Sequence, residues 1–498
     1  MVLSSAFGFD TVPETFIDGV HRLAPSGISI LIVGGGIGGL TLALEGWRQG
    51  HNVRVLEKSP KLDTIGKFSL KGDTFGILPP GVVTLRYYPT LHKDFEDTSY
   101  DALTYIYAHS GRMVLDYGEA VWNLPESEHA AKDVRVPWIR SRFGMVKSLE
   151  TQARRLGIPI EYGKNVIKYD EDETKAFVKT ETGDVYYADL VVAADGIGTK
   201  SHKHVVGKQM PAMSSGAAAY RGLVTMDRLK DVSEDTKKRF LGVLSGQRSE
   251  FRVFLAGDMH MDCIITPDFV NYVLTHDDSG GAAEAWRSTI SAPAVLELMD
   301  AVPGWDPALR EIISKTPDNS IIDWKLLWRN PQPQWASKMG RVVQLGDCAH
   351  SFLPTSANGA TQAMEDAVTL ATCLRLGGRD KVVESVKTHV LLRYERVSTL
   401  QRFGFAQRQT LHKTDPVVVE KNPEAFKLKM SKWIWQHDPV QYARDNFHKA
   451  FAAVVDGAEF QNTNLPPGAK YEPWTIEEEL ARESQGLRTT LYSTGDWS

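Results

Sequence analysis

The sequence predicts an α/β protein with a discontinuous parallel-sheet domain, a second sheet domain and a helical C-terminal region. Three observations carry this. Apolar, strand-like runs at 28–33, 187–194 and 341–345 each end in a glycine or acidic turn, as buried parallel strands do. Alternating strands occupy the stretch between the second and third runs. Beyond Gly378 the chain becomes charge-rich and helical in its spacing. At 498 residues there is room for about two or three domains. With 42% hydrophobic and 24% charged residues, wholesale disorder is excluded. A formal charge of −5 leaves no footprint for nucleic acid.

The first element is Ile28-Ser-Ile-Leu-Ile-Val-Gly-Gly-Gly-Ile-Gly-Gly-Leu40, read as strand, turn and helix start. Gly34, Gly36 and Gly39 fit G-x-G-x-x-G, with Gly38 in the same turn. The first allows the tight turn, the second lets a pyrophosphate approach the backbone, and the third lets helix and strand pack closely. The helix N-terminus presents free N–H groups to the phosphates. Leu40, Ala43, Leu44 and Trp47 give that helix an apolar face. A second strand, Asn52-Val-Arg-Val-Leu-Glu57, ends in an acid spaced to accept from a ribose hydroxyl. Together these predict a Rossmann-like dinucleotide site.

The next element, Tyr187-Ala-Asp-Leu-Val-Val-Ala-Ala-Asp-Gly196, is a buried strand ending in Asp195-Gly196; alone it is also what any α/β turn looks like. The third, Gly340-Arg-Val-Val-Gln-Leu-Gly-Asp347, ends in Gly346-Asp347. His350, Pro354 and Asn358-Gly359 follow, opening a long helix with Ala360, Ala363, Met364, Ala367, Leu370, Ala371 and Leu374 on its apolar face. An acid at such a strand end can accept from a polyol chain. A glycine-opened helix can aim N–H groups at an electron-rich ring edge.

That order of motifs resembles the single-component (class A) flavin monooxygenases, of which para-hydroxybenzoate and salicylate hydroxylases are type members; fungal salicylate-hydroxylase-like enzymes are most alike. The resemblance covers 28–376 and implies FAD, with NADPH or NADH as a transient reductant bound without its own domain. It implies that Asp347 holds the ribitol and Glu57 the adenosine ribose. Pro354, Asn358, Gly359 and neighbouring Ala360 would line the isoalloxazine, and Asp195 would shape the loop behind the cofactor. Arg142, in Arg142-Phe-Gly-Met-Val-Lys-Ser-Leu149, resembles the family's R-x-x-L-x-x-x-L and would contact the cofactor, with Arg140 as fallback. Two departures stand out. The Ser and Arg usual after Asp-Gly are replaced by Gly198-Thr-Lys-Ser-His-Lys203, leaving the partner of Asp195 open, and Gly66–Gly76 is unusually polar.

The resemblance divides the chain into an N-terminal arm (1–26), an FAD-binding domain (27–75, 138–201 and 335–378), a substrate-binding sheet domain (76–137 and 202–334) and a C-terminal helical region and tail (379–498). The implied reaction is insertion of one atom of O2, through a C4a-hydroperoxyflavin, into an aromatic or polyketide-, alkaloid- or terpenoid-type substrate. An FAD-linked oxidase or dehydrogenase without oxygen insertion is the competing enzyme class, since the same fold serves both. The resemblance implies that Tyr220-Arg221-Gly222 lies on a strand facing the active site. Arg221 then either pairs with substrate or orients the oxygen donor, or else makes an inter-domain salt bridge, and Tyr220 can donate a hydrogen bond. His350 is read as a structural residue before a catalytic base, and His202 and His204 as a solvated loop, not a metal pair. No metal is expected. Trp433-Ile-Trp435 is read as a helix packed on the FAD domain. Three scattered cysteines, absence of a signal-peptide pattern and a glycine-broken apolar run at 28–44 lead to the expectation of a cytoplasmic protein without a membrane partner.

Overall fold

Glycine punctuation and apolar strands translate directly into a five-stranded parallel sheet. The computed structural model describes residues 15–62, 73–129, 135–278, 289–412, 414–422, 430–489, 491 and 495–497. The arm before residue 15 and the Gly66–Gly72 part of the polar loop lie outside them. In chain order, β1 (Ser29–Val33), α1 (Ile37–Arg48) and β2 (Asn52–Glu57) form the first unit. β3 (Ala102–Ala108) and β4 (Met113–Gly118) follow. The chain then returns through α2 (Arg142–Arg155), β5 (Ile160–Tyr162) and β6 (Leu190–Ala193).

The next excursion contains β7 (Met213–Thr225), β8 (Ser249–Leu255), β9 (His260–Ile265), β10 (Phe269–Asp277) and β11 (Thr289–Ile290). It ends with α3 (Ala292–Asp300), α4 (Pro307–Ser314) and β12 (Ile321–Trp328). β13 (Val342–Gln344) re-enters the first sheet, followed by α5 (Gly359–Gly377) and α6 (Val382–His412).

The parallel sheet has the order β13-β6-β1-β2-β5, so it draws strands from three separated stretches of chain. Its core packs β1, β2, β6 and β13 against α1 and α5 through Ile30, Ile32, Leu40, Leu44, Val343 and Leu370. The second sheet has eight strands in the order β11-β12-β7-β10-β9-β8-β3-β4. One face packs on α3 and α4 through Met261, Cys263, Tyr272, Leu274, Val295 and Ile312. Because side chains alternate along a strand, Arg221, Phe251, Asp262, Ile264, Asn271 and Val273 point to the other face, which lines a cleft.

The run read as one strand from Tyr187 is two. It breaks at Asp189, between Val185–Ala188 of a small antiparallel sheet and β6. The Asp189 carboxylate accepts from the N–H and Oγ of Ser29 at 2.8 and 2.7 Å, pinning the break to the start of β1. The Trp433-Ile-Trp435 segment lies in a short helix, Lys432–Trp435, packed into the core of the parallel-sheet layer. No helix among the described residues is long and apolar enough to cross a membrane.

Candidate active site

The cleft has a volume of about 650 Å³ and runs from the glycine turn to the exposed face of the eight-stranded sheet. Each glycine of the turn has a distinct reason to be one. Gly34 has φ +112°, and an added Cβ would collide with the carbonyl of Ala194. A Cβ on Gly39 would collide with Gly34 O, and one on Gly38 would press into Leu345 and Ala363. At Gly36, the N-cap of α1, an added Cβ would meet nothing within 4 Å. That empty space faces the cleft, as a site for a pyrophosphate on a helix N-terminus requires. Gly34, Gly36 and Gly38 line the cleft, while Gly39 serves the packing of strand and helix.

Glu57 ends β2 inside the cleft. Its Oε2 accepts from Gly35 N–H at 2.7 Å and its Oε1 from Ser59 N–H at 2.8 Å, so it braces both the glycine turn and its own loop. Each oxygen keeps a lone pair for a ribose hydroxyl. Asp195 also lines the cleft, and its open partnership is resolved. Tyr169 Oη donates to Oδ2 at 2.8 Å and Cys348 Sγ to Oδ1 at 3.2 Å. Burial pushes the Cys348 thiol well above its usual range, and the Asp195 charge adds to this, so the sulfur keeps its proton as a donor. Gly196 N–H returns a bond to Cys348 Sγ at 3.1 Å, knitting the Asp-Gly and Gly-Asp turns together.

Gly346, Asp347, Pro354, Asn358, Gly359 and Ala360 all line the cleft. Asp347 is exposed, in the short turn Gly346–Cys348 after β13. Ala357 adopts the left-handed region at φ +51°, which turns the chain into the start of α5. Asn358 donates through Nδ2 to Ser356 O at 2.6 Å, yet its buried Oδ1 has no partner. His350 takes the structural role, since its Nε2 contacts Asp366 Oδ2 at 2.6 Å and the residue is buried away from the cleft. His202 and His204 are not the solvated loop expected from the sequence: both lie in a short helix, His202–Val205, where His202 is buried and contacts Cys348 O at 3.1 Å while His204 contacts Glu171 at 3.4 Å. No group of metal-ligating residues occurs among the described residues.

On the sheet face, Arg221 lines the cleft and its Nη2 is bound to Asp73, while its buried Nε has no hydrogen-bond partner. Arg142, at the start of α2, reaches the same carboxylate through Nε at 2.8 Å and lies over the Phe75 ring. Thus two guanidinium groups share Asp73. Arg140 is sealed in the protein, bound to Ser148 at 2.6 Å and Asp94 at 3.1 Å, and is not among the cleft residues. Tyr220 is not among them either. As Arg221's neighbour in β7 it points to the opposite sheet face, where its ring packs on His276 with centroids 4.3 Å apart. Sequence reasoning passed over Asp262, a lone acid among apolar residues of β9, which lines the cleft. Burial pushes its carboxyl up to about 7, against the opposing pull of Arg221.

These residues fit FAD. The Gly36 space leaves room for a pyrophosphate, Asp347 offers an exposed acceptor for a polyol, and Asn358, a cleft residue, keeps a buried Oδ1 without a partner. A curated FAD-dependent monooxygenase, dmxR9 of Cryptosporiopsis sp. (strain 8999), is 38% identical over 492 residues, covering 97% of this chain and 92% of its own. The chain belongs to the class A FAD-dependent monooxygenases. An FAD binding domain family model matches this monooxygenase over residues 143–386. Its fold is shared with FqzB, solved as the native protein, at a TM-score of 0.77 and 27% identity, covering 89% of this chain and 98% of that one. CtdE, solved with FAD and a substrate, superposes at a TM-score of 0.74 and 27% identity, covering 86% and 99%.

Proposed function

We propose that this monooxygenase uses NADPH or NADH to reduce bound FAD. It then inserts one atom of O2 into an electron-rich carbon of an aromatic or related natural-product substrate. The observation that carries the reading is one continuous cleft. It joins a dinucleotide turn, a glycine-opened helix with an orphaned Asn358 oxygen, and a sheet face bearing Arg221. FAD, when bound and reduced, supplies the activated oxygen; the protein supplies position and a dry site.

Gly34, Gly36 and Gly38 hold the pyrophosphate against the start of α1, and Glu57 takes the ribose. Asp347 takes the ribitol, while Pro354, Asn358, Gly359 and Ala360 seat the ring system. Asp195 acts from behind, holding the two turns together through Cys348. Arg142 and Arg221 stand over the site on Asp73, and Arg221 orients the reacting partners from the sheet face.

The test is incubation of the FAD-loaded protein with NADPH, labelled O2 and a pool of phenolic and indolic compounds, read by mass spectrometry. A product carrying one labelled oxygen is expected. Substrate-dependent NADPH loss with no label in any product would favour the oxidase or dehydrogenase class.

A further inference from the structure

Resting on the monooxygenase reading, we propose that Asp262 is a further catalytic residue: its carboxylate docks an O–H of an uncharged substrate and accepts that proton. The register places it. Val273 of β10 pairs with Arg221 on one side and with Asp262 on the other, so the three lie in a single row across the sheet, on the cleft face. The next row holds Asn271, Ile264 and Phe251. With strands about 4.8 Å apart, the two charged residues are two strand spacings apart with Val273 between them. A flat ring lying on Val273 and Ile264 would meet a cation on one side and a carboxylate on the other.

The carboxylate has no other work. No hydrogen bond reaches the Asp262 side chain from the described residues, whereas Asp73, on the same wall, holds both Arg221 and Arg142. An unpaired carboxylate in a largely apolar wall is costly, and packing alone gives no reason to keep one. Charge decides what it takes. Among the described residues Arg221, Arg142, Asp73 and Asp262 are the ionisable groups of this wall, and both cations are engaged by Asp73, so neither is left uncommitted to draw an anionic substrate to Asp262. A neutral hydroxyl donor fits instead. Among the described residues the charged groups acting on Asp262 are Arg221, from β7, and through it Asp73 and Arg142.

In the step itself the substrate O–H bond breaks and an O–H bond forms on Asp262. The electron pair stays on the substrate oxygen and raises the nucleophilicity of the conjugated carbon. Nothing is oxidised or reduced in this transfer, and the proton passes to water when product leaves. A carboxyl poised near neutrality is suited to accept and release it.

The experiment uses the oxidised, FAD-loaded protein without reductant, so its outcome is independent of whether oxygen is later inserted. 4-Nitrophenol and 4-nitroanisole, which differ by the hydroxyl proton, are titrated against the flavin difference spectrum at pH 7. The wild type is expected to bind the phenol about tenfold more tightly, the scale of one charge-assisted hydrogen bond. Asp262→Asn should erase that preference while keeping FAD and its visible spectrum, and Asp262→Glu should restore much of it. The wild-type preference should fade as pH rises to about 9, where phenol and carboxylate have both lost their protons. Equal binding of the two probes by the wild type, or an unchanged preference in Asp262→Asn, would overturn the proposal. Failure to insert labelled oxygen with these results intact would instead remove the monooxygenase reading.

Discussion

Two acids of the cofactor cleft do different physical jobs, and substitution separates them. Asp347 is exposed and makes no hydrogen bond among the described residues. Asp347→Ala should therefore leave the stability of the FAD-free protein unchanged within about 0.5 kcal/mol. It should weaken FAD by about tenfold or more, measured by quenching of flavin fluorescence, through loss of a charged acceptor. Glu57 is buried and holds the N–H groups of Gly35 and Ser59. Glu57→Ala leaves the buried Gly35 N–H and the half-buried Ser59 N–H without their acceptor, and should lower both FAD affinity and the stability of the FAD-free protein, the latter by about 1–2 kcal/mol. If Asp347→Ala bound FAD as the wild type does, the ribitol assignment would fail. Arg221→Ala should reduce coupled turnover far more than FAD affinity, because Arg221 lines the cleft from the sheet face and not from the glycine turn.

Within the glycine turn, neighbouring positions have opposite vulnerabilities. Gly36→Ala adds a methyl group to empty space, so the fold should persist while FAD binding falls by at least about tenfold as the backbone loses its close approach. Gly39→Ala drives Cβ into Gly34 O and should destabilise the protein by roughly 1–3 kcal/mol, seen in urea unfolding. This turn was legible in the sequence because each part of it is local: strand, turn, helix and Glu57 lie within one unit. The Gly346–Gly359 block was legible for the same reason. What was not legible required long-range pairing. Asp195 takes its partners from 26 and 153 residues away, and no local pattern announces Tyr169 or Cys348. Alternation along β7 shows that Tyr220 and Arg221 face opposite ways, but only the packing of α3 and α4 decides which face is covered. Asp262 had a signal, a single acid alternating with apolar residues, whose meaning depended on that same choice.

The layers of the molecule are joined behind the cofactor loop by buried charge, which makes overall stability depend on pH. Asp366 of α5 accepts from Gly346 N–H at 3.2 Å, from His350 at 2.6 Å and from Arg393 of α6 at 2.8 Å. Burial alone would raise the Glu365 carboxyl, but Arg396 and Arg393 outweigh it and hold it down at about 2. Arg393→Met removes the cation that Glu365 and Asp366 share, leaving Arg396 on the first and His350 on the second, and should cost roughly 3 kcal/mol, loosening the Gly346 turn with the helix. Buried histidines set the milder limb of the pH response. Burial lowers His51 and His389 from 6.5 to about 4, and pushes His260 and His437 well below their usual range. Between about pH 6.5 and 4 the unfolded chain binds protons at these four sites that the folded chain does not, so stability is full above 6.5 and is lost as pH falls. Asp262, raised to about 7, and Asp323 and Glu395, also raised by burial, have the opposite sign, but with His202 and His276 lowered as well the histidines outnumber them. Below about pH 4.5 the carboxylates join in, because Glu365 and Asp366 protonate in the unfolded chain first. The Tm of the protein should thus decline from pH 7 towards pH 5, before ordinary carboxylates titrate. His389→Gln, which is neutral at every pH, should flatten that decline measurably, because it removes one of the two histidines held at about 4. A Tm that stayed level from pH 7 to 5 would show that these histidines gain access to water or protons without unfolding.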